Sequence, residues 1–152
     1  MSGTEGAGHT VDIDDLTRVY GGAPALDGLT LHIRPGELVA LLGPSGCGKT
    51  TALRIVAGLD EATSGTVSVG GVDLRGTPAN KRDMGMVFQA YSLFPHLSVL
   101  DNVAFGLKMR GRPKRQRRDR AGQMLDLVGL AAYADRYANQ LSGGQQQRGA
   151  LA

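Results

Sequence analysis

The stretch that decides the fold reads Gly43-Pro44-Ser45-Gly46-Cys47-Gly48-Lys49-Thr50. A short apolar run over residues 37–42 precedes it, and such a run is typical of a strand buried on both faces of a sheet. Residues 49–57 follow with apolar side chains at helical spacing, and Gly58 is placed to end that helix. The order of strand, glycine-rich loop and helix predicts an α/β fold.

These eight residues satisfy the pattern G-x-x-x-x-G-K-[ST], in which backbone N–H groups turn inward around a phosphate. Lys49 is predicted to reach the β- and γ-phosphates of a nucleotide, and the Thr50 hydroxyl to ligate Mg²⁺. We interpret Cys47 as a spacer that contributes its N–H, with a thiol of lowered pKa as the alternative. The other predicted phosphate-binding positions are Gly43, Ser45, Gly46, Gly48 and Thr51.

Composition sets the class of protein. The chain has 152 residues, of which 41% are hydrophobic and one is cysteine, so it is long enough to bury a core and cannot form an internal disulfide. Its longest apolar run, residues 38–42, is far shorter than the roughly 20 residues of a membrane-spanning helix. Residues 1–10 carry no signal-peptide pattern and are predicted to be a disordered tail. We therefore expect a cytoplasmic protein.

The positive charge is concentrated between residues 108 and 120, which hold eight basic residues and one acidic residue. Nucleic-acid binding would explain the cluster, but no aromatic residue is interleaved for base stacking. Met109, Ala121, Met124, Leu125 and Val128 instead suggest helices with an apolar side and a solvated basic face. We favour the solvated face and expect no nucleic-acid partner.

Elsewhere the pattern separates strands from helices. Residues 11–42 alternate around turns at Gly21-Gly22 and Pro35-Gly36, 65–72 read as a hairpin, and 84–88 as a compact strand ending at Gln89. Ser98 and Asp101 predict the start of a helix with Leu100, Val103, Ala104 and Leu107 on one face. Pro113 can open a second helix that closes at Gly129.

A second motif, Leu141-Ser142-Gly143-Gly144-Gln145-Gln146-Gln147-Arg148, narrows the function. Ser142 and Gln145 form a capping box, so Ser142 is predicted to cap a helix whose first turn exposes glycine amides to an anion. The motif resembles the signature sequence of the ATP-binding cassette (ABC) ATPases. The resemblance runs from about Val11 to the last residue and implies a P-loop NTPase with an ABC-type antiparallel β-subdomain, an inserted helical subdomain and an incomplete sheet.

The resemblance also implies roles for single residues. Tyr20 stands where the family places the aromatic that stacks on adenine, and Gln89 where it places the glutamine that senses the γ-phosphate and Mg²⁺. Lys49 and Gln89 would act in catalysis, Thr50 and Gln89 would hold Mg²⁺, and Ser142, Gly143, Gly144 and Gln145 would bind ATP. In the family, ATP on one copy of the ATPase subunit is capped by the signature helix of a second copy.

Residues 88–99 look like importer-type subunits of the polyamine, ferric iron, sulfate and sugar classes. The resemblance then implies transmembrane permease subunits as partners, docked around 91–100, an extracytoplasmic solute-binding protein as an indirect one, and a place on the inner face of the membrane. It divides the chain into a β-subdomain and P-loop core over 11–90, a helical subdomain over 91–141 and the start of the signature helix over 142–152. His96 is interpreted as a loop histidine, because no second ligand stands at metal spacing.

The family places an Asp-Glu pair, a D-loop and a switch histidine after the signature, and the chain contains none of them, so we expect a truncated domain with doubtful ATPase activity in isolation. The Asp-Glu look-alike at 97–101 is better explained by Ser98 as a helix cap, and Asn102 stands where the catalytic Glu would be. The strands 39–42 and 84–88 would then be short of neighbours. Two alternatives stay open: a soluble ABC-type ATPase acting on nucleic acid, and a regulatory pseudo-ATPase. Gly149 is expected to weaken the signature helix.

Overall fold

The computed structural model describes residues 8–88 and 93–152, and the chain divides into two compact units, Met1–Gly85 and Met86–Ala152. The predicted tail over 1–10 falls mainly outside the described residues, as do Gln89 and Tyr91. The first unit carries the glycine-rich loop and the second carries the signature motif.

The first unit is built on an antiparallel sheet in the order β2-β1-β3-β4, with β1 at Val11–Tyr20, β2 at Ala23–Ile33, β3 at Ser64–Val69 and β4 at Val72–Asp73. Both hairpin turns are glycine pairs with positive φ: 54° and 85° at Gly21 and Gly22, and 57° and 80° at Gly70 and Gly71. Two-residue turns of this kind match the twist of the strands they join, and only glycine adopts both angles without strain. The predicted hairpins are confirmed.

Helix α1, Lys49–Val56, is the predicted helix, and Gly58 follows it with φ 76°. Its residues Ala52 and Ile55 share one buried cluster with four side chains of the sheet and with Leu74, which follows β4; the four are Ile13, Leu16, Leu26 and Val67. Ile13 and Leu16 of β1 are three positions apart and both are buried, because the register shifts between them. The helix and the loop before it are therefore held by a packed core.

Arg82 ties the far end of α1 to the rest of the unit. Its Nη1 donates to the carbonyl oxygens of Ile55 and Val56 at 2.8 and 2.9 Å, its Nη2 to that of Leu74 at 3.1 Å, and its Nε to that of Thr77 at 2.8 Å. A helix leaves its last carbonyl groups without partners. Arg82 satisfies that of Val56 and adds a second hydrogen bond to that of Ile55, which also accepts one from the Gly58 amide at 3.0 Å. No pattern in the sequence indicated this role for Arg82.

The prediction of strands over 37–42 and 84–88 is wrong for the described structure, in which neither segment is a strand. Leu38 and Leu42 are 96% and 92% exposed, whereas Val39 and Leu41 line a groove of about 620 Å³ beside α1 and the sheet. The alternation indicates an extended backbone with one apolar face inward. A strand requires a hydrogen-bonded neighbour, and none of the described residues pairs with either segment as a strand. The sequence analysis expected these two segments to be short of neighbouring strands.

The second unit is helical, with α2 at Val99–Val103, α3 at Phe105–Met109, α4 at Lys114–Leu127 and α5 at Gly143–Leu151. Its buried cluster contains Val99, Leu100, Ala104, Ala121, Leu125, Leu130 and Leu141. Ser98 caps α2 by accepting a hydrogen bond from the Asp101 amide at 3.1 Å, as predicted. The single helix predicted over this region is divided at Ala104, where ψ of −10° tightens the backbone.

Helix α4 follows Pro113 and ends before Gly129, whose φ of 68° stops it as predicted. Ala121 and Leu125 are its buried residues, while Arg115 has a side chain that is 94% exposed. The apolar side of this helix is thus buried and its basic side is exposed. Met109, assigned to the apolar side, is 62% exposed, because it lies at the end of α3 just before the turn at Gly111.

Candidate nucleotide site

The glycine-rich loop leads directly into the first turn of α1. Gly46 and Gly48 have φ of 82° and 89°, angles that side chains rarely tolerate, and Gly48 is the N-cap of the helix. A Cβ on Gly48 would lie 2.5 Å from the carbonyl oxygen of Ala25 in β2, so the loop can pack against the strand only with glycine there. No side chain caps the helix, and residues 42–47 are exposed, which leaves backbone amides accessible to an anion.

Lys49 folds its ammonium back into this loop. Its Nζ donates to the carbonyl oxygens of Gly43 and Pro44 at 2.8 and 2.7 Å and contacts the Sγ of Cys47 at 3.2 Å. The hydrogen bond from Lys49 is the main cause that lowers the pKa of the Cys47 thiol below its usual range, and the positive charge adds to it. The loop therefore holds a cation and an exposed, activated thiol side by side.

Three further predicted side chains lie in or after the loop. Ser45 and Thr50 are exposed, and Thr51 is half-buried in the first turn of α1. Among the described residues, no group of three or more His, Cys, Asp or Glu side chains could hold a metal. The Thr50 hydroxyl is nevertheless a suitable Mg²⁺ ligand, because Mg²⁺ takes oxygen donors and commonly combines one or two protein ligands with substrate phosphates.

Tyr20 ends β1, and its side chain is 45% exposed. The hydroxyl donates a hydrogen bond to the carboxylate of Asp60, and the guanidinium of Arg18 lies over the ring, 4.5 Å from its centroid. Sequence reasoning found Tyr20 and missed both partners. The alternation of β1 places Arg18 and Tyr20 on one face, but Asp60 lies 40 residues away in sequence and carried no signal.

The signature motif folds as its spacing predicts. Ser142 caps α5 by accepting a hydrogen bond from the Gln145 amide at 3.4 Å, and the Gln145 Oε1 accepts one from the Ser142 amide at 2.9 Å. Ser142, Gly143 and Gly144 are exposed. The start of α5 thus presents two glycine amides at the positive end of the helix dipole.

The chain before α2 is anchored by Asn102, a second residue whose role sequence reasoning missed. Its Nδ2 donates to the carbonyl oxygens of Phe94, Leu97 and Ser98 at 3.1, 3.2 and 2.9 Å, and its Oδ1 accepts from the Phe94 amide at 2.7 Å. His96 lies exposed on this loop, with its ring 6.0 Å from that of Phe94. An asparagine in the first turns of a capped helix was the available signal.

The glycine-rich loop and Tyr20 belong to the first unit, and the signature residues belong to the second. No helix among residues 8–88 and 93–152 has the length and apolar character needed to cross a membrane.

A glycine loop that opens a helix, joined in one chain to a capped signature helix, defines a class of nucleotide-binding cassettes. The family model described as "ABC transporter" matches residues 26–152, and the chain belongs to this family. The α/β cassette architecture is shared with solved structures. A structure described as the dimeric structure of MJ0796, a bacterial ABC transporter cassette, matches with a TM-score of 0.85 and 35% identity, covering 93% of this chain and 67% of that one.

A second structure of the MJ0796 cassette, in a post-hydrolysis state bound to ADP and Pi, matches with a TM-score of 0.79 and 33% identity over 93% of this chain and 67% of that one. Among curated proteins, a Fe(3+) ions import ATP-binding protein FbpC of Brucella suis is 52% identical over 143 residues, covering 94% of this chain and 40% of that protein. A spermidine/putrescine import ATP-binding protein PotA of Roseobacter denitrificans is 49% identical over 144 residues, covering 95% of this chain and 40% of that protein. The chain therefore spans about 40% of the length of these relatives.

Proposed function

We propose that this chain binds ATP with Mg²⁺ and serves as the ATP-binding subunit of an importer. The observation that carries the proposal is the Lys49 ammonium, held by the Gly43 and Pro44 carbonyl oxygens inside a glycine loop at the start of α1. Phosphate oxygens can replace these neutral carbonyl oxygens as partners of the ammonium, because hydrogen bonds between two charged groups are stronger. The Lys49 ammonium thus lies within the loop, where nucleotide phosphates would bind.

Different groups of the loop would bind the phosphates and the metal ion. Backbone amides of residues 43–48 and the start of α1 would bind phosphate oxygens, and Lys49 would offset their negative charge. Mg²⁺, when bound, neutralises charge that develops on the transferred phosphoryl group. Thr50 would hold this ion, together with Gln89, which lies outside the described residues and is assigned by family resemblance.

A second copy of the subunit would complete each site. The exposed amides at the start of α5 suit an anion, and Ser142, Gly143, Gly144 and Gln145 would contact ATP bound to the loop of the partner copy. The dimeric state described for the MJ0796 cassette supports this arrangement.

Import would couple this dimer to membrane subunits. The relatives named as Fe(3+) and spermidine/putrescine import proteins support an importer, with permease subunits as partners, an extracytoplasmic solute-binding protein as an indirect one, and a place on the inner face of the membrane. The Phe94–Ser98 loop, fastened by Asn102 at four backbone atoms, is suited to transmit force between a permease and α2.

Equilibrium titration of the purified protein with ATP and Mg²⁺ tests the nucleotide site. Lys49→Ala is expected to weaken binding by about tenfold to a hundredfold, the range for loss of a charge-assisted contact. Lys108→Ala removes an exposed lysine of α3 and should leave the affinity unchanged. Equal affinity of the native protein and Lys49→Ala would contradict the proposal.

A further inference from the structure

Three side chains of the first unit form a closed set of contacts around Tyr20. The Arg18 Nη2 lies 2.9 Å from the Asp60 Oδ1, the Tyr20 hydroxyl donates to Asp60, and the Arg18 guanidinium lies 4.5 Å from the centroid of the Tyr20 ring. The Asp60 Oδ1 also accepts a hydrogen bond from the Glu61 amide at 2.8 Å. Each member of the set thus contacts the other two.

These contacts restrict the Tyr20 ring at two places, its hydroxyl and one face. The side chains of Arg18 and Asp60 are only 24% and 13% exposed, whereas Tyr20 is 45% exposed. The Arg18 Nε is buried without a hydrogen-bond partner among the described residues, and the guanidinium contacts Asp60 through its Nη2. The hydrogen bond from Tyr20 is the main cause that lowers the pKa of the Asp60 carboxyl below its usual range, because the bond favours the charged form.

The ring lies at the end of the sheet that contacts the phosphate loop. Tyr20 pairs with Ala23 in β2, and the carbonyl oxygen of Ala25 is the atom that a Cβ on Gly48 would meet at 2.5 Å. Ala25 lies two positions after Ala23 along the strand, a distance of about 7 Å. A ligand with its phosphates in the loop could therefore bring its base towards the ring.

We propose that Arg18 and Asp60 are positioning residues that hold the Tyr20 ring as a platform with one free face for a nucleobase. The inference rests on the proposed nucleotide-binding function and concerns how the base is recognised. Arg18 covers one face by a cation–π contact, Asp60 fixes the hydroxyl, and the base stacks on the remaining face. A ring ordered before binding loses less conformational freedom when the base arrives.

The test compares the affinity for ATP with that for inorganic tripolyphosphate, which has no base, each with Mg²⁺ in equilibrium titrations. The ratio of the two affinities measures the base contribution, and damage to the phosphate loop would lower both affinities. Tyr20→Ala is expected to lower the ratio by about tenfold, the effect of losing one stacked base. Three variants keep the aromatic ring and weaken one contact that holds it: Tyr20→Phe, Asp60→Asn and Arg18→Gln. Each should lower the ratio by about two- to fivefold.

Asp73→Asn and Arg115→Gln serve as matched controls, since both residues have exposed side chains with an ion-pair partner, and their ratios should equal that of the native protein. If Tyr20→Ala lowers the ratio while Tyr20→Phe, Asp60→Asn and Arg18→Gln leave it unchanged, the positioning role is overturned and the proposed function stands. If none of the four variants changes the ratio, the inference is also overturned and the proposed function stands. Native protein that binds neither ATP nor tripolyphosphate would overturn the proposed function itself.

Discussion

Arg82 shows how much one side chain can contribute to a small unit. Its guanidinium joins the end of α1 to Leu74 and Thr77 through four backbone carbonyl oxygens, and burial lowers its pKa without removing its charge. The planar fork of arginine suits this geometry, because its five N–H donors point in fixed directions. Truncation would remove the donor that Arg82 supplies to the Val56 and Thr77 carbonyl oxygens, whereas those of Ile55 and Leu74 keep backbone donors from Gly58 and Thr77.

Arg82→Ala is expected to lower the free energy of unfolding by about 2–4 kcal/mol, because buried acceptors lose charged donors. Urea unfolding followed by circular dichroism measures the change. Arg75→Ala is the matched control, since the side chain of Arg75 is 70% exposed and its loss should cost less than about 0.5 kcal/mol. Equal losses in the two variants would show that the four hydrogen bonds do not stabilise the unit.

Cys47 offers a second test at this scale, because it is exposed and is the only cysteine of the chain. Its lowered pKa gives more thiolate at pH 7, so iodoacetamide should alkylate it faster than it alkylates a free cysteine. Lys49→Met removes the cause of the shift and should slow the reaction several-fold at pH 7, but not at a pH where both thiols are ionised. ATP should slow it as well, because phosphate would compete for the ammonium of Lys49. Equal rates with and without nucleotide would argue against a phosphate site in the loop.

At the scale of elements, short helices rely on their ends. Helix α5 has a complete capping box, and the Gln146 Nε2 donates to the carbonyl oxygens of Ala138 and Leu141 at 3.0 and 3.1 Å, which fastens its first turn. Near the other end, Gly149 is buried in the second unit. A Cβ there would lie 3.5 Å from Leu93 and 3.8 Å from Leu130, distances of ordinary van der Waals contact.

Gly149→Ala is therefore expected to stabilise the protein by about 0.5–1 kcal/mol, because alanine is the better helix former and the added methyl group fits. Thermal and urea unfolding measure the gain. Gly129→Ala is the contrasting variant, since Gly129 has φ of 68° and alanine should destabilise by about 1 kcal/mol despite open space around it. Destabilisation by Gly149→Ala would mean that α5 tolerates no added volume.

At the scale of the whole molecule, the proposed head-to-tail dimer brings the loop of one copy to the signature helix of another. In a Cys47→Ser background, protein carrying Ser45→Cys is mixed with protein carrying Ser142→Cys, and a short bismaleimide should join the two copies only when ATP is present. Mass spectrometry identifies the joined peptides. Gln123→Cys, at an exposed position of α4, replaces Ser142→Cys as control and should give little product. Crosslinking that does not depend on ATP would contradict nucleotide-driven dimerisation.

Local chemistry made much of this chain predictable. The glycine pairs of the hairpins, the serine caps of α2 and α5 and the glycine loop before α1 follow from residues within a few positions of each other. The role of Asn102 rests on residues within eight positions of it, so it was within reach of sequence reasoning. The roles of Arg82 and Asp60 were not predictable, because Arg82 bonds Ile55 and Asp60 bonds Tyr20, partners 27 and 40 positions away that only folding brings near. The apolar runs at 37–42 and 84–88 were misjudged for the same reason, since hydrophobicity cannot reveal whether a neighbouring strand is present.

The sequence by itself determined the family, the loop that would bind phosphate and the start of the signature helix, since backbone freedom at glycine and side-chain capping act over short distances. The tertiary structure decided where the Lys49 ammonium lies, which carbonyl groups Arg82 contacts and which side chains hold the Tyr20 ring. Those contacts join residues up to 40 positions apart. These contacts depend on how the sheet, α1 and the loops pack against each other, because only a formed core holds the contacting atoms at fixed distances.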